Sequence, residues 1–91
     1  MPKRHAGQEG DIAVRLTHDE ALVLSEWLDR LQNAGLRPLV EHGGEVVAIG
    51  ALVGRLDELL AELFDPRYRD LVVAARSRLV EGYEPDPLEG L

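Results

Sequence analysis

The sequence predicts a mainly α fold: a compact three-helix domain with a short N-terminal extended strand. Three observations carry that expectation. Ile49, Leu52, Leu56, Leu59 and Leu63 recur at spacings of three and four, the repeat of a helix with one apolar seam. Thr17 with Glu20, and Asp65 with Pro66, are helix-opening pairs on either side of that stretch. The chain of 91 residues has no cysteine, so it makes one domain with a modest core and no disulfide. It divides into a flexible arm at 1–10, a three-helix domain at 11–82 and an extended tail at 83–91.

Residues 1–10 carry charge and glycine without periodicity, and Lys3, Arg4 and His5 there read as a solvated basic cluster. Ile12, Val14 and Leu16 then alternate with Ala13 and Arg15, the period-two pattern of a short strand. A single strand leaves its backbone groups unpaired, so it needs a partner. Either 38–41 or a second copy of the chain would serve.

The first helix is expected over 18–34. Thr17 and Glu20 form a capping box, and Asp19 adds negative charge at the positive end of the helix dipole. Gly35 stops the helix in a Schellman ending, with Leu36 touching Leu31, and Pro38 forbids continuation. At about 100° per residue, Ala21, Val23, Leu24, Trp27, Leu28, Leu31 and Ala34 share one broad apolar face. Trp27 is therefore expected in the core. Leu22 points nearly opposite Leu24, among Glu26, Asp29 and Asn33, and is expected to be exposed and open to a partner.

The second helix is expected over 45–64, as the rod around which its two sequence neighbours pack. A hairpin competes with its first turns, because 38–41 and the β-branched Val46, Val47 and Ile49 flank His42-Gly43-Gly44. The unbroken three–four spacing from Ile49 to Leu63 favours the helix. Gly50 and Gly54 cost about 1 kcal/mol each relative to alanine. With Ala61 they line one flank of the seam, where a second backbone could approach closely; packing within the chain is the preferred use.

The third helix is expected over 66–81, with Tyr68, Leu71, Val72, Ala75 and Leu79 as its stripe. Arg67 and Arg78 fall on one flank of the stripe, Arg69 and Arg76 on the other, positions from which helices select charged neighbours. Gly82 ends it. The tail Tyr83-Glu-Pro-Asp-Pro-Leu-Glu-Gly-Leu has neither helical nor strand pattern, and Tyr83, Leu88 and Leu91 could anchor it to an apolar groove.

Charge and motifs exclude more than they assign. A net charge of −7 denies the chain the basic face that a nucleic-acid binder needs. No run of about 18 apolar residues could span a membrane and the N-terminus has no signal-peptide core, so a cytoplasmic protein is expected. Three scattered histidines lack metal-ligand spacing. His42-Gly-Gly-Glu lacks the lysine of a phosphate loop, and Ser25 and Ser77 fall inside helices, away from any nucleophile elbow. No enzyme, no cofactor and no metal are expected.

The run Leu16-Thr-His-Asp-Glu-Ala-Leu-Val-Leu-Ser-Glu-Trp-Leu resembles the opening of a group of short helical proteins of high-GC bacteria, which begin L-T-x-D-E-A-L-V-L. In that group an aromatic-containing first helix leads to an acidic second helix, a phenylalanine-proline-tyrosine region and an alanine-arginine helix. Leu63-Phe64-Asp65-Pro66-Arg67-Tyr68 and Ala74-Ala75-Arg76 are similar to the later parts, whereas Ser25 stands where the group carries an aromatic residue. The resemblance implies a helical layout and a bacterial origin, and carries no activity.

The function expected is a small acidic helical protein-interaction module, non-catalytic, meeting a protein partner or itself as a homodimer. Leu22, Gly50, Gly54, Arg69 and Arg76 are its candidate contact residues. Two alternatives stand beside it. One is an immunity- or antitoxin-like neutraliser of a basic partner, suggested by size and charge. The other is a small-ligand or metal binder with a pocket near Trp27 and His42.

Overall fold

The computed structural model describes residues 10–91, and the arm expected at 1–10 otherwise lies outside the described residues. The described chain is mainly helical, with three α-helices: α1 (His18–Ala34), α2 (Gly43–Leu59) and α3 (Tyr68–Val80). Short 3₁₀ turns follow each of them, at Arg37–Leu39, Ala61–Phe64 and Pro87–Gly90. There is no strand among the described residues, and 11–17 enter α1 without a ladder.

α1 begins as its capping signals dictate. The Thr17 hydroxyl accepts the Glu20 N–H at 3.1 Å, and the Glu20 carboxylate accepts the Thr17 N–H at 2.8 Å. Its end differs from the Schellman geometry. Gly35 has φ 101° and ψ 118°, a positive φ that suits glycine but a ψ well away from the left-handed helix. The chain therefore leaves in an extended direction, into the turn that contains Pro38.

α2 starts at Gly43, which resolves the competition with a hairpin. His42 decides it: its backbone is extended (φ −151°), and its Nδ1 accepts the Gly44 N–H at 2.8 Å as an N-cap. One turn on, the Glu45 carboxylate accepts the Glu41 N–H at 2.7 Å. The β-branched Val46 and Val47 stay helical behind that cap.

The second helix ends at Leu59 instead of running to Phe64. Leu60 turns to φ −105°, ψ 105°, while remaining only 3% exposed. No glycine or proline marks this break. It bends Ala61–Phe64 back towards α3 and lets Glu62 meet His18 of α1. α3 likewise opens at Tyr68, two residues after Pro66. The Asp65 carboxylate takes the Arg67 N–H at 2.7 Å, and its carbonyl takes the Tyr68 N–H at 2.9 Å, closing a turn before the helix proper. Beyond Gly82 (φ 86°) the tail is not wholly extended, because Asp86 caps the Pro87–Gly90 turn by accepting the Leu88 N–H at 2.8 Å.

The hub of the fold is α1, not α2. The three helices form one compact unit in which α1 packs on α3 and on α2, while α2 and α3 scarcely meet. Two small apolar clusters result. Leu22, Val72 and Ala75 join α1 to α3, with Val23, Tyr68 and Leu71 around them. Leu28, Leu56 and Leu60 join α1 to α2, with Leu24, Leu31, Ile49, Val53 and Leu63 around them. Each fully buried leucine contributes about 1.5–3 kcal/mol.

This arrangement corrects the expectation for Leu22. The residue does point nearly opposite Leu24, but that side is where α3 lies, and Leu22 is 2% exposed. A helix between two neighbours on nearly opposite sides needs two apolar stripes, and Leu22 belongs to the second. Trp27 corrects in the other direction. It sits between the two stripes, on the side neither neighbour covers, and is 46% exposed.

Candidate functional site

Neighbours on nearly opposite sides of α1 leave two of its faces between them. One face carries Glu20, Val23, Leu24 and Trp27, neighbours on the helix surface at spacings of three and four. α2 supplies Leu52, Leu56 and Leu59 on one side of that face, and α3 supplies Arg76 and Leu79 on the other. The lead-in lays Ile12, Val14 and Leu16 across the α2 side.

Two grooves follow, of about 660 Å³ against α2 and about 520 Å³ against α3. Leu16 and Leu24 line both, so they form one continuous apolar surface. Several of its members are open to solvent, Ile12 at 91%, Val14 at 77% and Leu59 at 77%, while Leu56 is buried. Contiguous exposure of this kind marks a contact surface, whereas single exposed leucines are ordinary.

Charge differs along that surface. On the α3 side the cations are held: Glu26 accepts from Arg76 at 2.8 Å and lies 3.6 Å from Arg30. On the α2 side stand Arg15 and Arg55. Arg55 donates to the Ala51 carbonyl at 3.2 Å, and neither arginine has a carboxylate within ion-pair distance among the described residues.

The opposite face of α1 is polar. Ser25, Asp29 and Gln32 line a cleft of about 310 Å³ with Val53, Asp57, Leu63 and Tyr68. Burial first, and the nearby Glu26 and Asp29 next, raise the Tyr68 phenol above its ordinary value. Among the described residues no three histidine, aspartate or glutamate side chains gather where they could share an ion. The Glu62 carboxylate is held below its ordinary value by a hydrogen bond from its own backbone and then by His18, and one of its oxygens is buried without a partner.

The residues proposed from sequence as contacts are scattered. Leu22 is core. Gly50 and Gly54 are exposed, and a Cβ at either would meet nothing within 4 Å, so the expected packing of this flank within the chain does not occur. They lie about 160° round the helix from Leu52, outside the groove. Arg76 is engaged by Glu26, and Arg69 stands beside it on a notch of about 120 Å³. Arg78 pairs with Asp19 of α1 and Arg67 with its neighbour Asp65, so the arginine flanks turn to α1 and to local carboxylates, not to α2.

Trp27 and His42 are used separately, the first on the α3-side groove and the second as the α2 cap. The groove-lining residues that sequence reasoning did not single out as a site are Ile12, Val14, Leu52 and Leu59, with Arg15 and Arg55. Their signal was faint: Leu52 and Leu59, seven apart, sit at one edge of a seam too wide for a single neighbour to cover. No helix among the described residues is long and apolar enough to cross a membrane. No family model, curated protein or solved structure matches the chain at a significant level.

Proposed function

We propose that this chain is a non-catalytic protein-interaction module that acts as a homodimer, with the open apolar face of α1 as its interface. The observation that carries the reading is the quantity of surface left uncovered. The chain's accessible surface is 7575 Å². A compact monomer of 10.1 kDa exposes about 5,300 Å². With residues 1–9 allowed their full unfolded area, about 1,400 Å², an excess of roughly 900 Å² remains. A standard interface buries about 800 Å² on each partner, so one self-contact accounts for most of that excess.

A two-fold dimer presents the same patch from both sides, which suits a face built of Leu16, Leu24, Trp27, Leu52 and Leu59. The lead-in adds its alternating Ile12 and Val14, and pairing across the two-fold would give it the strand that the sequence pattern suggests. Such a module serves its cell as a small cytoplasmic assembly element.

The test is molar mass in solution over a range of concentrations, with salt varied. Two copies of net charge −7 repel at long range and the interface is mainly apolar, so the dimer survives added salt. A neutraliser of a basic partner behaves oppositely, losing that partner as salt rises. A mass of 10.1 kDa at every concentration removes the homodimer reading.

A further inference from the structure

The α2-side groove is apolar along its length and carries two arginines without carboxylate partners among the described residues. In an acidic chain this is a local reversal of sign. What fits it is a segment with spaced apolar side chains and several carboxylates. The segment 83–91 has this character. It has Glu84, Asp86 and Glu89 and no cation, with the apolar Tyr83, Leu88 and Leu91 beside them. All three apolar side chains stand in solvent, at 63%, 73% and 101% exposure.

We infer that the groove between Leu52, Leu59 and the lead-in receives the segment 83–91 of a second copy, an inference that rests on the homodimer proposed above. Leu88 and Leu91 enter the apolar floor, and Glu84, Asp86 and Glu89 meet Arg15 and Arg55 at its rim. Within one chain the segment does not line that groove. Gly82 turns it at φ 86°, the Tyr83 N–H closes on the Val80 carbonyl at 3.0 Å, and Asp86 fixes the Pro87–Gly90 turn. Two copies exchanging segments cover two grooves at once. The exchange removes from water the apolar side chains of the segment together with the exposed Ile12, Val14 and Leu59.

The cysteine-free sequence permits a direct test on the full chain. Leu59→Cys and Leu88→Cys chains, one carrying a mass tag, are mixed in equal amounts and gently oxidised. The expected product is the mixed disulfide between the two chains, well above the random share, and it falls several-fold when the groove chain also carries Arg55→Glu.

A random distribution of disulfides from a mixture that sediments as a dimer overturns the segment's role and leaves the homodimer standing. A chain with both cysteines that closes internally, and gives no linked pair, shows the groove filled by its own segment and overturns the exchange. Monomeric mass throughout overturns the homodimer and this inference together.

Discussion

Arg78 grips Asp19 through two parallel hydrogen bonds, Nε to Oδ2 at 2.8 Å and Nη2 to Oδ1 at 2.9 Å. The pair ties the last turn of α3 to the first turn of α1, 59 residues earlier in the chain. Bidentate geometry of this kind is directional as well as attractive. The ion pair lies on the same pair of helices as the contact of Leu22 with Val72 and Ala75.

The pair has a consequence for acid stability. The Arg78 hydrogen bonds hold the Asp19 carboxyl below its ordinary value of 3.8. Glu62 lies below its ordinary 4.5 and Asp65 below 3.8, the latter through Arg67. In each case the folded chain binds its proton less readily than the unfolded chain. The stabilisation is thus complete above about pH 4.5 and is lost as pH falls through the lowered folded values. The urea midpoint should be flat between about pH 7 and 5 and drop below 4.5. Asp19→Asn should lower the midpoint at pH 7 and make the acid drop shallower; a midpoint that rises on acidification contradicts the assignment.

Leu22→Ala should cost about 2–5 kcal/mol, the usual penalty for emptying a buried leucine site. Val47→Ala, at a residue 73% exposed, should stay within about 0.5 kcal/mol of wild type. Urea unfolding at one low protein concentration compares them. Equal costs would mean that α1 and α3 do not pack through Leu22.

How far the sequence discloses this fold depends on whether a signal is local. The start of α1 at its capping box and the stops at Gly35 and Gly82 rest on residues within four positions of the backbone groups they serve, whereas the His42 cap of α2 was not anticipated and α3 opens at Tyr68 without a side-chain cap. The α1 start and the two stops could be read directly. The break at Leu60 could not, because its causes are remote: contact with α3 and the reach of Glu62 to His18. Leu22 and Trp27 were exchanged between core and surface for a related reason. Periodicity gives the angle of each residue on α1 correctly but does not say on which sides the neighbours stand. Placing α2 at the centre of the fold assigns one apolar stripe to α1, whereas α1 as hub requires two.

Thr17→Ala should cost about 1 kcal/mol, because the Glu20 N–H and the first turn of α1 lose their acceptor. Thr17→Asn should recover most of it. Thermal or urea unfolding reads both, and an alanine variant as stable as wild type would mean that the box is ornamental.

Leu59→Asp tests the groove without touching the core, since Leu59 is 77% exposed. Self-association should weaken at least about tenfold, equivalent to 1.4 kcal/mol. The urea midpoint at concentrations where wild type is monomeric should not move. Unchanged association would place the interface elsewhere.

Trp27 reports on the open face of α1 most directly. It is the one tryptophan of the chain and lines the α3-side groove. Acrylamide quenching of its fluorescence, followed as protein concentration rises from monomer to dimer, asks whether that face is covered. Quenching should fall as the measured mass approaches twice 10.1 kDa. A doubled mass with Trp27 quenched as readily as before would contradict the interface on α1.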